Sequence, residues 1–148
     1  TNNPIVYNDD YNFEIGKSVK LSNGKDITIF ATGSMVAVSQ NAIKILEKKN
    51  ISVELINMHT IKPIDKIQIE ESSEKSKLFF TVEEHSIIGG LGSSISEVCC
   101  ELKNKPKLIK LGLEDAYSVS GDYSYVLEKN NLTANIIADR VISEFNNL

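Results

Sequence analysis

From residue 27 onward the chain alternates between two hydrophobic periods. Residues 27–32 are short, apolar and β-branched; Gly33-Ser34 interrupts them, and Met35, Val38, Ala42, Ile45 and Leu46 then recur at helical spacing. Residues 51–58 predict a second strand, and Pro63-Ile64-Asp65 opens a second helix that ends near residues 73–76. Asp65 and Gln68 stand three residues apart, the spacing of an N-terminal capping box. Residues 78–83 predict a third strand, apolar from Leu78 to Val82 but for Thr81, as a strand buried on both faces would be, and run into Gly89-Gly90-Leu91-Gly92. Leu91, Ile95, Val98, Cys99 and Leu102 then mark one face of a helix, with Ser94 and Glu97 predicting a second capping box. Residues 106–113 predict another strand, residues 123–129 a short helix, and residues 133–145 a final helix with Ile137, Val141 and Phe145 on one side.

Strands alternating with helices at this spacing predict an α/β sandwich with a mainly parallel sheet, because parallel neighbours need a crossover and a helix provides it. Ligands and partners of such sheets meet the loops at the carboxyl ends of the strands. Those loops are residues 32–34, 59–65, 83–92 and 114–121. Residues 1–24 are polar and close on Ser22-Asn23-Gly24, so they read as a linker or inter-domain segment in which residues 19–21 can pair at a sheet edge. The domain proper is expected over residues 25–148.

Composition narrows the partners. The 148 residues carry 16 basic against 20 acidic side chains, a net charge of -4, and Arg140 is the one arginine. Planar recognition of phosphates has almost no raw material here, and nucleic acid is not an expected partner. No apolar run approaches the roughly 18 residues of a bilayer span and no signal segment opens the chain, so neither a membrane nor export is expected and the expected location is cytoplasmic. Cys99 and Cys100 are neighbours and do not make a disulfide framework; Cys99 falls on the buried stripe as a small hydrophobe, and Cys100 points elsewhere. The first residue is Thr1, which reads as a processed or excised piece of something longer.

The loops carry little recognisable chemistry. Gly90-Leu91-Gly92 is followed by Ile95 where a dinucleotide fingerprint needs its third glycine, and no phosphate-cradling Gly-x-x-x-x-Gly-Lys run exists. The loop glycines are expected to serve positive φ and close packing, Gly90 among them. Glu83, Glu84 and His85 hold an acid–base combination, but alternation along a strand would put Glu84 opposite Glu83 and His85, as at a polar strand exit. His59, His85 and the two cysteines are too scattered for a metal site. Lys62-Pro63-Ile64-Asp65 reads as a rigid loop into a capped helix start.

Several strings in order carry a resemblance. Lys25-Asp26-Ile27-Thr28-Ile29-Phe30-Ala31-Thr32-Gly33-Ser34 is followed by Val53-Glu54-Leu55-Ile56-Asn57-Met58-His59-Thr60-Ile61-Lys62-Pro63-Ile64-Asp65. Thr81-Val82-Glu83-Glu84-His85-Ser86 with Gly89-Gly90-Leu91-Gly92-Ser93 comes next, then Leu111-Gly112-Leu113-Glu114-Asp115. Over roughly residues 15–142 the chain resembles the C-terminal domain of transketolase-type, thiamine-diphosphate-dependent enzymes. The resemblance implies a three-layer α/β/α sandwich whose five-stranded, mainly parallel sheet has one antiparallel edge strand. It also implies partners: the pyrimidine-binding and diphosphate-binding domains or subunits of the same enzyme, in a homo- or hetero-oligomer. In that family the Gly-Asp-Gly element for magnesium and diphosphate and the activating glutamate belong to those other domains. Here Gly121-Asp122 is followed by Tyr123, so no catalytic, cofactor-binding or metal residue carries over, and thiamine diphosphate and magnesium are expected only in the full enzyme. The fragment alone is expected to be inactive. Contacts with the remainder are expected at Thr60, Lys62, Asp65, Glu84, His85, Gly89, Gly90 and Gly92. The same resemblance admits deoxyxylulose-phosphate synthase or the beta subunit of a 2-oxo acid dehydrogenase; a free-standing interaction or small-ligand module is the reading from outside the family.

Overall fold

Each apolar run read as a strand forms one, and the order in which they pair decides where the loops meet. The computed structural model describes residues 4–7 and 11–148; residues 1–3 and 8–10, part of the segment read as a linker, lie outside the described residues. Along the chain come β1 (Val19–Ser22), β2 (Ile27–Ala31), α1 (Met35–Glu47), β3 (Val53–Asn57), α2 (Lys66–Ser73), β4 (Leu78–Ser86), α3 (Leu91–Glu101), β5 (Lys107–Leu113), α4 (Tyr123–Lys129) and α5 (Ala134–Phe145). The sheet order is β1-β3-β2-β4-β5, with β1 antiparallel to β3 at one edge and every other pair parallel. The expected five-stranded sheet with its antiparallel edge is therefore present. β1 attaches part of the segment read as a linker to that sheet.

Alternation along the strands fills two cores. Ile29, Leu55, Phe80 and Val82 face α1, α4 and α5, while Phe30, Ile56, Met58 and Phe79 face α2 and α3. Phe30 and Phe79 meet edge to face with centroids 5.0 Å apart. Both faces of the sheet are thus covered by helices of this chain. Cys99 lies in the second core, where burial pushes its thiol up to about 11, and Cys100 is exposed. After α1 and after α4 the chain turns through Asn50 (φ 60°) and Asn131 (φ 59°), and the amides of Ile51 and Leu132 bond back to Leu46 and Leu127. Asparagine tolerates this left-handed conformation and supplies the helix stop that glycine more often gives.

Three sequence expectations shift. β4 runs to Ser86 rather than ending at Glu83, with an irregularity in its pairing to β5 between Val82 and Ser86. Asp65 does cap α2 by accepting from the Gln68 amide, but Gln68 reaches Ser72 instead of returning to Asp65, so only half of the capping box forms. Ser94 is not a cap: α3 starts at Leu91, a full turn earlier, and the Ser94 hydroxyl donates to the Gly90 carbonyl at 3.4 Å.

Glu54, 1% exposed in the middle of β3, is the fold's most demanding polar group. Its carboxylate accepts from Ser72 Oγ at 2.7 Å and Thr28 Oγ1 at 3.1 Å, and it faces Lys20 Nζ at 2.9 Å and Lys75 Nζ at 3.4 Å. Burial pushes the carboxyl pKa up, but the Ser72 hydroxyl and the two ammonium groups outweigh it, holding it below the ordinary value. Lys20 is raised, chiefly by its bond to Glu54. The network ties β1, β2, β3 and α2 together and is what makes a four-residue edge strand hold. Because the folded carboxyl pKa lies below the unfolded one, its stabilisation is full above the unfolded value and is lost as pH falls through the folded value. Lys20 works in the opposite sense, losing its contribution only as pH rises through its raised value. Glu54→Gln is expected to lower the unfolding free energy by about 1–3 kcal/mol at neutral pH, with the difference from wild type shrinking in acid; denaturant melts across that pH range check both.

Candidate functional site

β2 sends the chain to α1 on one face of the sheet, and its neighbour β4 sends it to α3 on the other. The carboxyl ends of β2 and β4 are therefore the point where successive loops part, the place where open sheets of this kind leave a crevice. Residues 32–34 and 83–92 meet there.

Glu83 continues the alternation of β4 and turns inward. It is 1% exposed, and its two oxygens accept from the amides of Leu91 (2.7 Å) and Gly92 (2.8 Å). A carboxylate there satisfies two of the free N–H groups at the start of α3 and meets the positive end of the helix dipole. Gly90, the residue before α3, has φ -94°, so the expected positive φ is not found there; it occurs at Gly89 (φ 80°). Gly90 is required for another reason: a Cβ would run into Glu83 Oε2 and come within 2.8 Å of the Ser86 carbonyl.

Glu84 turns the other way. Its Oε2 accepts from Ser34 Oγ and from the Tyr123 hydroxyl at 2.7 Å, joining the start of α1, the end of β4 and the start of α4. Burial pushes the Tyr123 phenol up, the Ser34 bond lowers it, and the Glu84 carboxylate raises it again. His85 is exposed, with Nδ1 3.1 Å from the Ser86 carbonyl. The three side chains that could have formed an acid–base cluster are thus separated, one committed to amides, one to hydroxyls and one to solvent.

The neighbouring loop is also partly committed. Thr60 Oγ1 accepts from the Gly16 amide at 2.9 Å, and Asp65 Oδ2 accepts from the amide and hydroxyl of Ser18 at 2.8 and 3.1 Å. Of the eight residues expected to make contacts, Lys62, Glu84, His85 and Gly89 are exposed, Thr60 is half-buried, and Asp65, Gly90 and Gly92 are buried. Ser34 and Tyr123 belong to the site and were not singled out in the sequence; an exposed Glu at a strand exit was the available signal, but nothing local names its partners. A separate cleft of about 590 Å³ lies beside β5 between Ile109, Leu111, Ile137 and Arg140. It is the gap left at the open edge of the sheet, and among the described residues none of the buried unpaired side chains lines it.

The Gly121-Asp122 pair stands just before α4, followed by Tyr123, whose hydroxyl is bonded to Glu84. Among the described residues no three His, Cys, Asp or Glu side chains group so as to hold a metal ion. These residues do not fit a magnesium–diphosphate site.

Comparison with known proteins gives a consistent pattern. Residues 16–137 match the family described as transketolase, C-terminal domain. The chain is 42% identical over 143 residues to a protein of Methanocaldococcus jannaschii named as a transketolase C-terminal section, covering 95% of this chain and 44% of that protein. It is 37% identical over 135 residues to a 1-deoxy-D-xylulose-5-phosphate synthase of Dehalococcoides mccartyi, covering 90% of this chain and 21% of the synthase. Among solved structures, an inactive beta4 tetramer of a split-gene transketolase superposes with a TM-score of 0.86 at 38% identity, over 97% of this chain and 46% of that one. The chain therefore spans less than half the length of the relatives it matches.

The geometry around Glu83 makes two substitutions interdependent. Gly90→Ala is expected to cost about 1–3 kcal/mol by displacing the capping carboxylate. The same change in a Glu83→Ala background is expected to cost measurably less, since the closest collision, with Glu83 Oε2, is gone and only the one with the Ser86 carbonyl remains. Equal costs in a double-mutant cycle measured by denaturant unfolding would contradict the assignment.

Proposed function

Since the chain belongs to the transketolase C-terminal domain family, we propose that it is the C-terminal part of a thiamine-diphosphate-dependent transketolase and serves its assembly rather than its chemistry. The full enzyme would move a two-carbon ketol unit between sugar phosphates, the cofactor supplying the carbanion and the protein positioning it. The observation that carries this reading is the likeness to transketolases divided into two chains. A C-terminal section is 42% identical over nearly the whole chain, and a split-gene transketolase has the same fold at 38% identity. That the latter was obtained as an inactive tetramer supports a chain without turnover of its own. The inward commitment of Glu83 supports the same view, because both its oxygens are taken up by the amides that start α3.

The likeness to 1-deoxy-D-xylulose-5-phosphate synthases favours a second reading, a synthase C-terminal domain, at lower identity. In both readings the contact surface is the exposed part of the strand-end loops: Lys62, Glu84, His85 and Gly89. Charges in such a contact steer and register the partners more than they hold them.

Lys62→Ala and His85→Ala are expected to leave the stability of the chain within about 0.5 kcal/mol and to weaken its association with the polypeptide carrying the other two domains severalfold. Thermal melts and a binding titration read the two effects separately. Ketol transfer is expected only when both parts are combined with thiamine diphosphate and magnesium; sugar-phosphate conversion by the chain alone would refute the proposal.

A further inference from the structure

Three buried polar atoms at the carboxyl end of β3 have no hydrogen-bond partner among the described residues: Asn57 Oδ1 and both ring nitrogens of His59. Asn57 is 7% exposed and its side-chain nitrogen donates to the Tyr7 hydroxyl. Turning the amide over would only exchange which of its ends is bonded. The His59 ring lies 4.6 Å from the Phe13 ring and 6.4 Å from that of Tyr11, which in turn stacks on Tyr7 at 3.8 Å. Aromatic side chains of the N-terminal segment thus roof two polar residues that stand two apart in extended chain.

The roof is reversed relative to an ordinary surface. Tyr11 and Phe13 are 40% and 55% exposed, while polar nitrogen and oxygen atoms stay dry beneath. A buried polar group left without a partner is destabilising, so native folds keep few of them. Ser39 and Thr81 also have unpaired hydroxyls, but each is a single atom on its own element, α1 or β4. At Asn57 and His59 the unpaired atoms cluster. Among the described residues the strap of residues 11–15 is held from either side, by Tyr7, whose hydroxyl accepts from Asn57, and by Gly16, whose amide bonds Thr60.

We infer that Asn57 and His59 are a docking seat for the remainder of the enzyme, uncovered when the aromatic strap moves onto the partner. On assembly Tyr11 and Phe13 lie against an apolar patch of the partner, and a partner side chain takes their place over β3. Asn57 Oδ1 needs a donor, and the His59 ring carries at least one N–H that needs an acceptor. The arriving group therefore both donates and accepts, as a hydroxyl or a carboxamide does. This inference rests on the reading that the chain works in complex with the other transketolase domains.

The two states give one substitution opposite effects. His59→Phe keeps the aromatic contact with Phe13 and removes both dry nitrogens. It is expected to raise the melting temperature of the chain alone and to weaken association with the polypeptide carrying the other domains by tenfold or more. His59→Leu repeats the test where the phenyl ring does not fit. Independently of any variant, the ring-nitrogen resonances of His59 in the wild-type chain should shift on assembly as new hydrogen bonds form. Unchanged association of the variants, or unchanged ring resonances, overturns the seat while leaving the assembly reading intact. Failure of the wild-type chain to associate at all overturns the assembly reading and the seat with it.

Discussion

A carboxylate buried in β4, toward its carboxyl end, organises the end of the molecule that matters. Glu83 takes the first amides of α3, and that fixes how the chain leaves β4. With Glu83 drawn inward, Glu84 must turn to the opposite side, where Ser34 and Tyr123 hold it, and His85 and Gly89 are left at the surface. The requirement for glycine at residue 90 follows from the same contact, since a side chain there would occupy the space of the carboxylate. The loop is thus a rigid presentation of a few exposed groups.

A second buried carboxylate does comparable work near the β1 edge of the sheet. Glu54 gathers two lysines and two hydroxyls from β1, β2, α2 and the turn after α2, and holds the short edge strand in place. Removing one partner of such a group leaves the others paired, whereas removing the carboxylate leaves buried hydroxyls without an acceptor. β1 in turn carries the chain back to Gly16 and Ser18, whose bonds to Thr60 and Asp65 pin the start of the domain onto the strand-end loops. The two carboxylates therefore connect the fold to the surface proposed to meet the rest of the enzyme.

Periodicity made most of this visible in the sequence. The run at residues 78–83 and the stripe of Leu91, Ile95 and Val98 are local signals, and both elements formed over those residues, with β4 continuing to Ser86. The resemblance to transketolase C-terminal domains supplied the antiparallel edge, which a four-residue strand does not announce by itself. What stayed hidden depends on contacts distant in sequence. Glu54 reads as one polar residue in an apolar strand until Lys20, Thr28 and Ser72 are brought to it. Ser94 has the spacing of a cap, but the true cap is Glu83, eight residues before the helix begins at Leu91 and on another element. Gly90 looked like a turn glycine because a sequence reports the missing side chain and not what fills its place. The unpaired atoms of Asn57 and His59 leave no trace in the pattern at all.

The central claim is that this chain acts through the strand-end loops by joining the other domains of a transketolase. Amide hydrogen exchange compared between the chain alone and the assembled enzyme tests it most directly. The account predicts that slowing on assembly concentrates in residues 59–62 and 84–89 and in the segment just before Gly16, with β5 and α5 unaffected. Slowing confined to β5 and α5, with the strand-end loops exchanging as before, would contradict it.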